Sequence, residues 1–263
     1  TAHGRQTFTA SGTWTVPANV RSINIHCTGG GGGGAWGTSE YYAYGGLGGG
    51  GGYTAFKNAI AVSPGQHINV VVGNGGIPAA VSLGQSVGNA SSASLNGSVL
   101  VSAQGGNITK SGTQTFSYGG SSGGKFAYTN GYRYHYEAQA GASDGRNAFV
   151  EGQGSTTREF GNASGTLYSG GGGGGGCAAP SNNSDNTPRY NGHNGASGGA
   201  GGGGNGGGKN AFLNDSSPLY ALTLSDGMSG SFGSGGGGGG AAANERKSSA
   251  AGGGGSGNVI ITW

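Results

Sequence analysis

The segment Tyr132-Arg133-Tyr134-His135-Tyr136 alternates an aromatic ring with a basic group. In an extended chain, neighbouring side chains point to opposite faces, so three tyrosines share one face and Arg133 with His135 the other. Trp36, Tyr41, Tyr42 and Tyr44 crowd a second short segment. Arg189, Tyr190 and His193 stand among Asn and Ser in a third, and Arg246 sits in a fourth. The chemistry these types support is adhesion. Tyr supplies large amphipathic contact area at little rotamer cost, and Ser, Gly and Asn add adaptable hydrogen bonding, as in antibody paratopes. Arg adds paired hydrogen bonds to carboxylate or phosphate. These residues are the candidate binding set.

Covalent chemistry has no comparable foothold. The five histidines, His3, His26, His67, His135 and His193, have no ligand spacing to one another or to a cysteine, so no metal site is expected. The nine carboxylates are scattered singly. Gly119–Lys125 and Gly203–Lys209 fit a phosphate-loop pattern, but Phe126 and Asn210 stand where the magnesium-binding Ser or Thr belongs. No catalytic residue, cofactor or enzymatic role is expected. The formal net charge is +3, from 12 basic and 9 acidic residues without a basic run, which gives nucleic acid no footprint. No apolar stretch approaches the ~20 residues of a membrane span, so no membrane insertion is expected. The chain begins at Thr1 rather than Met, as a fragment or matured product would. Cys27 and Cys177 each flank a long glycine run; a disulfide and two separate thiols both fit that placement.

The elements that must position the candidate residues are unusual. Glycine supplies 69 of 263 residues, mostly in runs such as Gly29–Gly34, Gly48–Gly52, Gly170–Gly176, Gly201–Gly204, Gly235–Gly240 and Gly252–Gly255. Between them lie Ala35–Tyr44, Lys125–Phe160, Cys177–Ser197, Lys209–Phe232 and Ala241–Ala251, the expected display loops. Such glycine content defaults to disorder. The 8 Phe, 3 Trp and 12 Tyr argue against that, because they need a core or a partner. Polyglycine takes up the polyproline II form, three residues per turn with no internal hydrogen bonds, so its amides must bond sideways. Glycine runs packed side by side would satisfy each other, and a Cβ would hold them apart.

Strands are expected at both ends of the chain. Gln6–Ala10 and Gly12–Val16 read as a strand pair, Ser22–Thr28 alternates cleanly, and Tyr53–Val62 and His67–Val72 flank a type II turn at Ser63–Gln66. Ser98–Ala103 and Asn258–Trp263 complete the set, the last pairing with strands of the first hundred residues. The fold class is all-β: a β-sandwich base with an inserted bundle of polyglycine II helices and little or no α-helix. We read one domain, 1–263, with the β-rich base mainly in 1–103 and 258–263. The bundle and loops occupy 29–52 and 104–257. Only Ala241–Ala251 has helix-friendly composition.

Phe8-Thr9-Ala10-Ser11-Gly12-Thr13-Trp14-Thr15-Val16-Pro17, then Ser22–Cys27 and Gly29–Gly34, resembles the glycine-rich domains at the tips of bacteriophage tail fibres. Tyr53–Val72 with Gly73–Gly76 and the closing Gly252–Trp263 carry the resemblance over essentially the whole chain. The alternation of glycine blocks with variable loops is similar to the adhesin at the tip of T-even-type long tail fibres. The resemblance implies a receptor-binding protein at the distal fibre tip of a virion. Its partners would be a bacterial outer-surface protein or polysaccharide and the remainder of the tail fibre. At its start the sequence departs from that adhesin, with no stretch that resembles the fibre-attachment domain. The glycine-rich ectodomain of anaplastic lymphoma kinase-type receptors shares the logic. A receptor ectodomain of that kind and a glycine-rich structural matrix protein are the alternatives.

Overall fold

The computed structural model describes residues 3–39, 43–78, 85–111, 114–129, 135–177, 195–206, 209–210, 223–224, 226–240 and 249–263. Its strands are, in chain order, β1 (Arg5–Phe8), β2 (Gly12–Thr15), β3 (Ser22–Thr28), β4 (Thr38–Ser39), β5 (Ala43–Tyr44), β6 (Thr54–Ala61), β7 (His67–Val71) and β8 (Gln85–Val87). They continue with β9 (Ser91–Leu95), β10 (Ser98–Ala103), β11 (Asn107–Ser111), β12 (Gln114–Phe116), β13 (Tyr128–Thr129) and β14 (His135–Tyr136). The last are β15 (Lys209–Asn210), β16 (Thr223–Leu224) and β17 (Asn258–Thr262). The fold is all-β, with a single 3-10 turn at Glu159–Gly161 among the described residues.

Two antiparallel sheets, β1-β17-β3-β6 and β10-β9-β7-β2, enclose one core. Alternation dictates what enters it. Ile23, Ile25 and Cys27 of β3 and Val259 and Ile261 of β17 point inward from the first sheet. Trp14, Ile68, Val70, Ala93 and Val101 point inward from the second. Trp14 also meets Trp263 at 5.0 Å between ring centroids. Burial of each large aliphatic side chain contributes about 1.5–3 kcal/mol.

The closing strand β17 lies between β1 and β3, so it pairs with the first hundred residues as its apolar run requires. The first two strands do not pair with each other: β1 joins β17 and β2 joins β7, in different sheets. Two four-residue strands have too little side-chain code to choose a hairpin over better-matched apolar partners. The Ser63–Gln66 turn has its glycine, Gly65, at φ 77°, as a type II turn needs. Sequence reasoning missed β9, whose small polar residues hide its alternation; its signal was the following Asn96-Gly97, both with positive φ (51° and 80°), the mark of a type I′ hairpin turn.

Above the sandwich the glycine runs pack into a bundle held by backbone hydrogen bonds that step by three residues. Gly29, Gly32 and Ala35 donate to the carbonyls of Tyr53, Gly50 and Leu47 at 2.8–2.9 Å. Gly31 and Gly34 donate to Gly255 and Gly252. Gly30 donates to Asn89, and Gly33 to the Ser86 hydroxyl. In return the carbonyls of Gly30, Gly31 and Gly32 accept from Gly106, Gly76 and Gly238. One run thus bonds to six neighbouring stretches.

The run at 170–176 repeats the pattern. Its N–H groups reach residues 201 and 204, 142 and 139, and 49 and 46, while its carbonyls accept from 237 and 240, 199 and 196, and 124 and 127. A β-ladder would alternate between two sides; this arrangement turns through three directions. Some neighbours run parallel and some antiparallel, so direction is not what the packing selects. A Cβ on Gly173 would come closer than 3.0 Å to the backbone carbonyl of Ala196, and one on Gly31 closer than 3.0 Å to that of Gly236. Close approach, not backbone flexibility, requires glycine here.

The pairings also fix direction. From the sandwich the chain climbs along 29–35, 73–78, 104–111, 121–129, 169–177, 203–206 and 235–240, and returns along the intervening stretches. Among the described residues, 43–53, 85–89, 114–118, 135–142, 195–199, 226–231 and 249–255 run back toward the sandwich. The expected helix-friendly segment at 241–251 falls mostly outside the described residues.

Candidate functional site

Four two-residue strands form a small sheet, β14-β13-β5-β4, at the remote end of the bundle. Tyr128 of β13 is the register partner of both Tyr44 and Tyr136. Cross-strand partners lie close enough for their rings to touch. The Tyr44 and Tyr128 rings stack at 4.6 Å and 28°, and those of Tyr128 and Tyr136 at 5.9 Å and 29°. Phe126 meets Tyr44 edge-on at 5.9 Å. Each such pair contributes about 0.5–1.5 kcal/mol beyond area burial. Lys125 sets its ammonium 5.1 Å from the Tyr136 ring centroid and 5.3 Å from that of Phe149. Beneath, Ala127 and Cys177 form a small buried cluster against Ala138.

This ladder is a firm apolar edge with a positive charge fixed beside it. Tyr136 is 55% exposed and Trp36 43% exposed. Such an arrangement offers ring surface to an apolar or sugar face and an ammonium donor to an acceptor.

Of the candidate binding residues, Tyr44 and Tyr136 are brought together by Tyr128, and Trp36 lies just beyond the climb from Gly34. His135 is placed in β14 opposite Thr129. Tyr41, Tyr42, Tyr132, Arg133, Tyr134, Arg189, Tyr190, His193 and Arg246 lie outside the described residues. Lys125, Phe126, Tyr128 and Phe149 escaped sequence reasoning. Phe126 and Tyr128 stand two apart, an alternation overshadowed by the five-residue run that follows.

The segment 125–160 is not wholly a tip loop. Residues 143–168 fold back beside the sandwich, where Gln153 accepts from the Thr54 amide at 2.9 Å. Likewise 226–231 forms a descending stretch of the bundle, its Met228 amide donating to Asn205 at 2.8 Å.

A second cluster sits on the outer face of the first sheet. His26 is fully buried, and rings of Phe56, Phe160 and Tyr168 surround it at 5.5–6.5 Å. Its Nδ1 accepts the Phe160 amide at 3.1 Å, and its Nε2 lies 3.2 Å from the Thr28 hydroxyl. This bonding requires a neutral imidazole with the proton on Nε2. Burial pulls its pKa down to about 4, against the attraction of Glu159 and aided by the repulsion of Arg5.

Arg5 and Glu159 form a two-pronged ion pair, with one prong at 3.0 Å, and Glu159 also accepts from the Tyr168 hydroxyl at 3.5 Å. Burial pushes the Tyr168 hydroxyl up, with Glu159 adding to it. Asp144 is held below its ordinary range, chiefly by the Thr156 hydroxyl at 2.5 Å. Both ring nitrogens of His26 are engaged within the protein, so this imidazole is not poised to take a proton from a substrate.

Cys27 belongs to the sandwich core, where burial pushes its thiol up to about 12, and Cys177 to the small cluster under the tip; no disulfide joins them. Among the described residues no group of three or more His, Cys, Asp or Glu is placed to hold a metal ion. No helix among them is long and apolar enough to cross a membrane.

No curated protein matches the chain significantly. A family model described as a glycine-rich domain matches residues 6–263. The stepped backbone bonding gives that match a physical basis, and the chain belongs to this glycine-rich domain family.

Proposed function

We propose that the chain is a receptor-binding adhesin of a bacteriophage tail-fibre tip. In this reading it is a non-enzymatic virion protein that grips a bacterial outer-surface protein or polysaccharide. The observation that carries the reading is directional. The described climbs lead away from the sandwich and the described descents lead back to it, and the sheet β14-β13-β5-β4 lies at the far end. A stem of bare backbone leads up to that sheet, and of the candidate aromatics Tyr44 and Tyr136 lie in it.

The three-residue step of the hydrogen bonds is the repeat of the polyproline II form. The glycine runs are accordingly read as polyglycine II helices, each bonded to its neighbours around it. Rigidity is what a recognition surface gains, since loops fixed before contact lose less entropy on binding. Trp36, Tyr44, Tyr128 and Tyr136 supply the ring surface, and Lys125 the fixed charge. The loop residues Tyr41, Tyr42, Tyr132, Arg133, Tyr134, Arg189, Tyr190, His193 and Arg246 complete the contact set. The sandwich end faces the remainder of the fibre.

The test is adsorption of the purified protein to a panel of bacteria, with binding reduced at least tenfold in a Trp36→Ser, Tyr136→Ser double variant of unchanged circular dichroism. Strong wild-type adsorption that survives this variant would remove the site. No adsorption to any strain, with self-association instead, would favour the matrix-protein alternative.

A further inference from the structure

The cluster around His26 has a consequence separate from the tip. Residues 157–168 form a closed strap. Glu159 and Thr166 bond across it at 2.9 Å, Arg158 bridges to Leu167, and the Arg158 guanidinium caps the Gly165 carbonyl at 3.0 Å. The strap lies over the outer face of the first sheet and ends at Ser169, where the run at 170–176 begins its climb. Two polar links tie its 3-10 turn to the sheet. One is the Arg5–Glu159 ion pair; the other is the Phe160 amide given to His26. Phe160 makes that bond from a left-handed backbone, φ 49°, which a bulky residue holds only when its surroundings enforce it.

We propose that residues 157–168 are an acid-released latch, kept shut by the unprotonated imidazole of His26. The amide of Phe160 points at Nδ1, so a proton there turns an acceptor into a donor facing a donor. The bond is lost and a backbone N–H is stranded among rings. The strained turn then keeps only one of its two polar links, the Arg5–Glu159 ion pair. The groups that face the imidazole are few. Glu159 on the strap attracts a positive ring, Arg5 of β1 repels it, and Tyr168 faces it as a neutral phenol. Phe56 of β6 and Ile260 of β17, its register partners, carry no charge. Burial by Phe56, Phe160 and Tyr168 outweighs the attraction of Glu159, in keeping with the lowered basicity of this ring.

Opening would loosen Tyr168 and Ser169 at the foot of the run with six neighbours. It would also free Arg5 at the edge of the sandwich. Acid would therefore act first on the joint between sandwich and bundle, leaving the tip sheet in place.

Hydrogen–deuterium exchange of the full chain, corrected for the intrinsic rate at each pH, tests this. Peptides spanning 157–168 should exchange tens-fold faster at pH 4.5 than at pH 6.5, while β7 and β10 stay protected. His26→Gln, which keeps an acceptor and does not titrate, should leave strap exchange flat across that range. Wild-type strap protection that does not change between pH 6.5 and 4 overturns the proposal, as does an unaltered pH response in His26→Gln. Should that variant not fold, ring NMR of wild-type His26 decides. A neutral Nε2–H tautomer whose titration coincides with strap opening supports the latch. Opening while the ring stays neutral overturns it.

Discussion

The sandwich and the bundle are two solutions to the same problem of filling space. In the sandwich, Ile25, Ile68, Val259 and Ile261 remove apolar surface from water, and the backbone only spaces them. In the bundle there is almost no side chain to bury. Gly32, Gly172 and Gly238 are buried with nothing but peptide around them, and each amide finds a carbonyl on another run. Glycine loses more freedom on ordering than any other residue, so this region rests on dense backbone hydrogen bonding and close backbone contact. The sandwich should therefore tolerate a small change of volume, and the bundle should tolerate none.

The largest expected effect breaks that comparison directly. Gly173→Val should cost more than about 4 kcal/mol or abolish folding, because its side chain collides with the Ala196 carbonyl, and backbone cannot turn aside. Soluble yield and a thermal melt would show it; a wild-type melt would mean the runs are loosely packed. Ile68→Ala, at a fully buried sandwich position, should cost about 2–5 kcal/mol and still fold.

The next effect is set by pH. His26 titrates at about 4 in the fold against an ordinary 6.5. The unfolded chain takes up a proton first, so stability is complete above pH 6.5, declines as pH falls towards 4, and then levels. The loss is at most about 3 kcal/mol. Chemical denaturation of wild type at pH 7 and pH 4, set against His26→Gln, would isolate it.

Smaller still is Gly97→Ala. Gly97 has φ 80° and open space where a Cβ would go, so the substitution strains one turn and strikes nothing. About 1 kcal/mol is expected, read by the same melt. Gly97 and Gly173 thus separate two uses of one residue, conformation in the sandwich and proximity in the bundle. A similar cost at both sites would erase the distinction between the regions. Tyr136→Ser, with its ring more than half exposed, should change stability by no more than about 1 kcal/mol, within reach of calorimetry.

The two regions were unequally legible in the sequence. Ser22–Thr28 and Ser98–Ala103 coincide with β3 and β10 because side-chain alternation records which face is buried. The closing strand was legible for the same reason. In the bundle the partner of each glycine is written nowhere in the residue types, since one glycine run is chemically identical to the next. Sequence could say that such runs must bond sideways, but not that 29–35 meets 47–53 on one side and 252–255 on another. At the tip, Tyr44 and Tyr136 were visible as aromatics in unusual company. Tyr128 joins them only through strand register, which no local pattern holds. His26 was legible as one residue of an alternating strand. Its burial depends on a strap more than a hundred residues away.

The three-residue step in the bundle has a bearing on how such a chain can change. Lengthening a climb by one glycine shifts its three-residue hydrogen-bond step by one position and aims its amides at the wrong neighbours. Lengthening it by three restores each aim and lifts the exit point by one full step of the pattern. Insertions and deletions in multiples of three, matched on the descending partner, are thus the moves by which loop height can vary while the stem stays intact.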